Sequence, residues 1–287
     1  MEDGSIRRSQ LEGNTGVDSP AITYWGAALE ANTKDTMHCR IGFVNIHGLG
    51  LSASNYKNTE FYSYVNKYNF DIFGMAETNV NWSAVSVGDR LHERSRSWWK
   101  VRHVSYSYLS HDRAMRHQRH QYGGTAVWTR NSMVHRVADS GKDPFGRWAW
   151  TRYRGLANRW LRVVASYRPC LSTEPNLVFQ QQLRNFPPSK PDPRQSFLDD
   201  LKQQIQLWIN EGDAIIVMLD ANDKVLTGDV ADMFHSLQLV NLHFRDYLDI
   251  RDNPPVLHAN AWNPLTPSLL HQGYKSSVED IPHPGLS

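Results

Sequence analysis

Two apolar runs constrain this chain more than any other feature: Ile72-Phe73-Gly74-Met75-Ala76 and Ala214-Ile215-Ile216-Val217-Met218-Leu219, each closed by a carboxylate, Glu77 and Asp220. A strand without polar alternation has both faces covered. The chain must therefore build buried sheet with further layers on either side. Two more strand-like runs, residues 41–44 and 161–166, end on Asn45 and Tyr167. In open α/β sheets, polar residues at strand ends converge on one crevice even when they are far apart in sequence.

The rest of the chain fits that frame. Its 287 residues, 40% hydrophobic and 21% charged, can bury a large core as one α/β domain or two small ones. The formal net charge of +2 is too small to argue for a nucleic-acid partner by itself. No apolar stretch nears the roughly 20 residues of a membrane helix, so no membrane partner is expected. The two cysteines, Cys39 and Cys170, read as free thiols, which suits an intracellular and even a nuclear setting. Residues 1–38 lack hydrophobic periodicity and read as a disordered leader, residues 39–257 as the folded domain, and the proline-rich residues 258–287 as an irregular tail.

Tyr56, Phe61, Tyr64, Val65 and Tyr68 recur at helical spacing, so residues 55–69 predict a helix between two buried strands, a βαβ-like opening. Residues 101–109, 125–129, 133–137, 147–154 and 159–167 read as further strands, with turns at Gly141, Asp143-Pro144 and Gly155. Helices are predicted over 176–184, 194–210 and 230–237.

Each strand-end residue admits a chemical reading and a bland one. Glu77 suits a hard divalent cation, Mg2+ or Mn2+, or is a carboxylate facing water. Asp220 and Asn222, two apart on extended chain, point to the same side. One would orient or deprotonate a water and the other donate an amide N–H to a phosphate oxygen; otherwise they form an Asx turn. Tyr167 would donate to a phosphorus centre, or stabilise it as phenolate, or simply pack. Asn45 would hold Glu77 or a metal-bound water, or is a turn residue before Gly48. Taken together, the set is suited to metal-assisted phosphodiester hydrolysis.

In this order the residues resemble the endonuclease/exonuclease/phosphatase superfamily over roughly residues 40–255. Asn45 sits in an Asn-x-x-Gly-Leu motif, Glu77 in Ala76-Glu77-Thr78, and Tyr167 in a Tyr-x-Pro motif; Asp220-Ala221-Asn222 matches Gly-Asp-x-Asn with Leu219 in place of Gly. Gly146-Arg147-Trp148-Ala149-Trp150 and Tyr167-Arg168-Pro169 look most like retrotransposon endonucleases. The resemblance implies a four-layer α/β sandwich of two packed mixed sheets flanked by helices, Mg2+ dependence and a phosphodiester or phosphomonoester substrate. Two departures stand out. His47 occupies a position where many nuclease members carry an acid, and no Ser-Asp-His motif follows Asn222. The expectation is a sandwich incomplete at its C-terminus, with a change of coding register near Leu257 or a truncation, and weak turnover. A non-catalytic nucleic-acid-binding relic and a small-molecule phosphatase are the alternatives.

Residues 90–119 combine many Arg and His with Trp98, Trp99, Tyr106 and Tyr108. Arginine forks suit phosphates and aromatics stack on bases. Arg113, Arg116 and Arg119 thus form a candidate rim for DNA, with RNA the alternative, set against a solvated, mobile insertion. His111, His117 and His120 lack a Cys partner and a firm helical register, which argues against a zinc site.

Overall fold

The computed structural model describes Lys34 and residues 39–50, 55–110, 112–190, 192–224, 227–241 and 273–274. Strands β1 (Ile41–Asn45) and β2 (Ile72–Ala76) lie parallel, joined through helix α1 (Tyr56–Lys67), which is the βαβ opening the sequence predicts. Asn55 caps α1, its side chain accepting from the Lys57 N–H. After the single-turn helix α2 (Leu91–Arg94), strands β3 (Arg102–Ser107) and β4 (Thr125–Arg130) complete one side of the first sheet, in the order β3-β4-β2-β1.

The second sheet begins as an antiparallel meander, β5 (Val137–Lys142), β6 (Trp148–Arg154) and β7 (Trp160–Tyr167). Helices α3 (Val178–Asn185) and α4 (Pro193–Asn210) then carry the chain over to β8 (Asp213–Asp220), which pairs parallel with β7. Helix α5 (Asp229–Ser236) follows. Gly273–Tyr274, strand β9, pairs antiparallel with β1; the rest of the segment read as an irregular tail, and the leader apart from Lys34, lie outside the described residues.

Alternation along the strands separates three cores. Ile41, Ile72, Val127, Val163, Ala165 and Met218 meet between the two sheets. Phe73, Met75 and Trp128, offset by one residue, pack outward with Phe61 and Val65 of α1. Val164 and Trp148 pack on the other outer side, against Phe197, Leu201, Ile205 and Trp208 of α4 and Val230 and Met233 of α5. The layers are therefore helix, sheet, sheet, helix, the four-layer sandwich expected. Gly74 faces inward because Met218 fills its place: a Cβ there would stand 2.4 Å from Met218 Cε. Burying each large inner side chain is worth roughly 1.5–3 kcal/mol, so a one-residue slip, which swaps the faces, is strongly opposed.

Two sequence expectations are corrected. The sequence predicts a strand over 133–137, but Asn131–Arg136 forms 3-10 turns, entered through Asn131 at φ 56°, and pairing starts only at Val137. Gly141, read as a turn residue, lies within β5, where the Trp150 indole crosses it; a Cβ would sit 2.5 Å from Trp150 Cζ2.

Candidate active site

The same alternation aims the site. Asn45 shares the inward parity of Ile41 and Phe43, Tyr167 that of Val163 and Ala165, and Asp220 that of Ile216 and Met218. The two parallel pairs end level, Asn45 opposite Ala76 and Tyr167 opposite Asp220. Inward-pointing polar groups from both sheets therefore meet at one end of the sandwich.

They meet through a single carboxamide. Asn45 Nδ2 donates to Glu77 Oε1 at 3.0 Å and to Asp220 Oδ2 at 2.6 Å, while its Oδ1 accepts from the His47 N–H at 2.9 Å. Every polar atom of the amide is used with the matching polarity. His47 Nδ1 lies 2.9 Å from Glu77 Oε2. His47, Glu77 and Asn222 hold left-handed backbone, with φ of 46°, 51° and 45°. Such a conformation costs a non-glycine residue roughly 1–2 kcal/mol, and here neighbouring backbone holds it. Gly48 N donates to Glu77 O at 2.8 Å, Leu49 N to Thr78 O at 2.8 Å, and Thr78 N to Gly124 O at 3.2 Å. Gly124 must be glycine, for its φ is 83° and a Cβ would lie 2.6 Å from Thr78 Oγ1.

Asp220 is buried, and burial pushes its carboxyl pKa up from 3.8 to about 6; the Asn45 bond opposes this, the nearby Glu77 charge adds to it, and the Asn222 backbone N–H opposes it. Its Oδ1 has no hydrogen-bond partner among the described residues. Burial, and then the charge of Glu77, push the Tyr167 phenol far above its ordinary range, so it stays protonated beside Glu77. Of its two sequence-level roles, donation is the one this environment favours.

Asn222 sits in the turn beyond β8, and its Nδ2 donates to Arg168 O at 2.8 Å, committing one of its two amide hydrogens. Two arginines to which the sequence reading assigns no role lock this end. Arg168 is buried, pairs with Asp223 at 2.7 Å, and donates its backbone N–H to Asp220 O at 3.0 Å. Arg194, in the first turn of α4, reaches Pro169 O at 2.7 Å and Asn222 O at 3.1 Å. The Tyr-Arg-Pro motif was the available signal for Arg168; nothing local marked Arg194.

The arginine rim is a braced loop. Met115 is buried, Asn81 Nδ2 donates to Met115 O at 2.9 Å, Asn81 N donates to Arg119 O at 2.9 Å, and Asp112 pairs with Arg184. Val80 bridges His120, so the loop is rooted on the segment that leaves Glu77. Arg113, Arg116 and Arg119 are exposed and form no ion pair among the described residues. His111 lies outside the described residues, and His120 stacks edge-on against Tyr122 with ring centroids 4.6 Å apart.

Among the described residues no three His, Cys, Asp or Glu side chains group so as to hold a metal alone. That still suits Mg2+, which is usually bound by one or two carboxylates with water and substrate phosphate completing six oxygens. Glu77, 15% exposed at its side chain, is positioned as such a carboxylate, and the orphaned Asp220 Oδ1 leaves an acceptor for a water or its proton.

Similar solved structures include a 3'-5' exonuclease (NExo) from Neisseria Meningitidis, at 11% identity and TM-score 0.42 over 69% of this chain and 70% of that one. An AP endonuclease from Archaeoglobus fulgidus is 13% identical, TM-score 0.40, over 70% of each chain. D. rerio TDP2, complexed with single strand DNA product, is 13% identical, TM-score 0.40, over 73% of this chain and 68% of that one. A search of curated proteins found no match. The profile of the Endonuclease/Exonuclease/phosphatase family matches residues 42–265, well over half of the chain, and the chain belongs to that family.

Proposed function

We propose that this protein hydrolyses phosphodiester bonds of nucleic acid, DNA in the first instance with RNA as the alternative, using Mg2+ or Mn2+ held at Glu77. The observation that carries the reading is the Asn45 amide, which holds a carboxylate of one sheet at 3.0 Å and one of the other at 2.6 Å. When bound, the ion supplies Lewis-acid polarisation of the phosphate. Glu77 would hold it, kept in place by Asn45, with the protonated Tyr167 nearby. Asp220, with a midpoint near 6, is ionised yet basic at pH 7–8 and takes the proton of the attacking water. The free amide hydrogen of Asn222 donates to a phosphate oxygen. Arg113, Arg116 and Arg119 hold the nucleic-acid backbone by charge.

The retrotransposon-type reading rests on Tyr167-Arg168-Pro169 and on residues 146–150, whose Arg147 is buried between Asp143 and Asp200, each at 2.8 Å. Turnover is expected to be slow, because no Ser-Asp-His follows Asn222. Free thiols at Cys39 and Cys170 accord with an intracellular site of action, the nucleus included. The test is nicking of supercoiled plasmid with Mg2+, with Mn2+ and with EDTA, beside Glu77→Gln. Nicking that requires both the ion and Glu77 supports the reading. Metal-dependent nicking that survives Glu77→Gln removes the ion from Glu77, and no nicking by the folded protein favours a binding module.

A further inference from the structure

His47 stands directly beside the carboxylate proposed to hold the ion. His47 Nδ1 and Glu77 Oε2 are 2.9 Å apart, and the imidazole is 70% exposed while the carboxylate is 15% exposed. Two ligands bound side by side on an octahedral ion, each at about 2.1 Å, stand about 3 Å apart. The contact is a hydrogen bond, and its length also matches one edge of a coordination octahedron, with its open side toward solvent.

The ring is placed by its surroundings. The His47 N–H donates to Asn45 Oδ1 at 2.9 Å, and the His47 carbonyl accepts from Lys57 Nζ at 2.9 Å. The left-handed φ of 46° at His47 and of 51° at Glu77 turns the two side chains toward each other across the ends of β1 and β2.

We infer that His47 is a second metal ligand beside Glu77, and that this mixed nitrogen–oxygen pair favours a first-row transition ion, Mn2+ or Co2+, over Mg2+. The inference rests on the proposed metal role of Glu77 and refines it. Imidazole suits transition ions, whereas carboxylate, carbonyl and water suit Mg2+. An acid at this position would make an all-oxygen pair; histidine does not.

The test is titration calorimetry of the untagged protein with CoCl2, MnCl2 and MgCl2, together with the visible spectrum of the Co2+ form. The proteins are wild type, Glu77→Gln, His47→Asn and His47→Asp. Asn and Asp tolerate left-handed backbone, so both variants keep the loop. Only the binding that Glu77→Gln removes is counted, since the chain has 13 histidines. His47→Asn is expected to weaken Co2+ about tenfold or more with a smaller change for Mg2+, as loss of a metal-site group commonly does. His47→Asp should bring the two affinities together, and both variants should alter the Co2+ spectrum. An unchanged Co2+ to Mg2+ ratio and spectrum in both His47 variants, with binding still lost in Glu77→Gln, overturns the inference and leaves the proposed function standing. Binding indifferent to Glu77→Gln overturns both.

Discussion

Strand β8 begins and ends on a buried aspartate, and the two are treated in opposite ways. Asp213 accepts from Arg152 Nη2 at 2.7 Å and from Arg162 Nε at 2.8 Å. Those guanidiniums lie over aromatic rings in turn, Arg162 4.3 Å from the Trp150 centroid and Arg152 4.3 Å from that of Trp160. Asp220, seven residues on along the same strand, has no cation against it among the described residues. It meets a neutral amide, one backbone N–H and the negative charge of Glu77, and its Oδ1 is orphaned among those residues. An under-paired buried carboxylate is disposed to take up a proton. One end of the strand is closed by charge pairing, and the other keeps the unpaired acceptor on which the proposed function draws.

Substitutions at the two ends should therefore differ in sign. The largest effect is expected for Asp213→Asn, which removes the buried counter-charge shared by Arg162 and Arg152 and leaves Arg162 only the half-exposed Glu211. A loss of about 3–5 kcal/mol in urea unfolding is expected, and a loss under about 1 kcal/mol would remove the contrast. Asp220→Asn should do the reverse. The folded carboxyl titrates near 6 and the unfolded one near 3.8. The contribution of Asp220 to stability is thus greatest below pH 4, falls as pH rises to about 6, and is level above. At 1.36 kcal/mol per unit the fall is about 3 kcal/mol. Asp220→Asn should recover most of it at pH 8 and none at pH 4, as read from paired unfolding curves.

A third substitution probes the join between the sheets. Asn45→Ala removes donors to both carboxylates and should cost about 2 kcal/mol at pH 8, less at pH 5 where Asp220 takes up its proton. An equal cost at both pH values would mean that Asp220 is not what the amide serves. The smallest effect on stability is expected at the rim. Reversing Arg113, Arg116 and Arg119 to Glu should leave stability within about 0.5 kcal/mol. The same change should lower the salt slope of DNA binding, measured by fluorescence anisotropy, by about 0.9 for each phosphate the rim no longer neutralises.

Local patterning carried much of this in the sequence. The unbroken runs before Glu77 and Asp220 marked strands covered on both faces, and the 3.6-residue spacing of Phe197, Leu201, Ile205 and Trp208 marked α4. What stayed hidden depends on packing between distant segments. Asn45 and Asp220 are 175 residues apart, and only the packing of one sheet on the other makes the Asn45 amide a bridge. Nothing local marks Asp213, Arg152 and Arg162 as a buried cluster, because the aromatic cover of Trp150, Trp160 and Trp208 comes from other elements. Gly141 imitated a turn because glycine marks both turns and close approaches, and only the Trp150 indole tells the two apart.

The most direct test measures cleavage and stability on one preparation of Asp220→Asn at pH 8, with metal present. If Asp220 is the base of a site left under-paired for chemistry, cleavage should fall by about a hundredfold or more while the unfolding midpoint matches or exceeds that of wild type. Wild-type cleavage from that protein, or a lower midpoint, would show that Asp220 holds the fold as Asp213 does and would contradict the account.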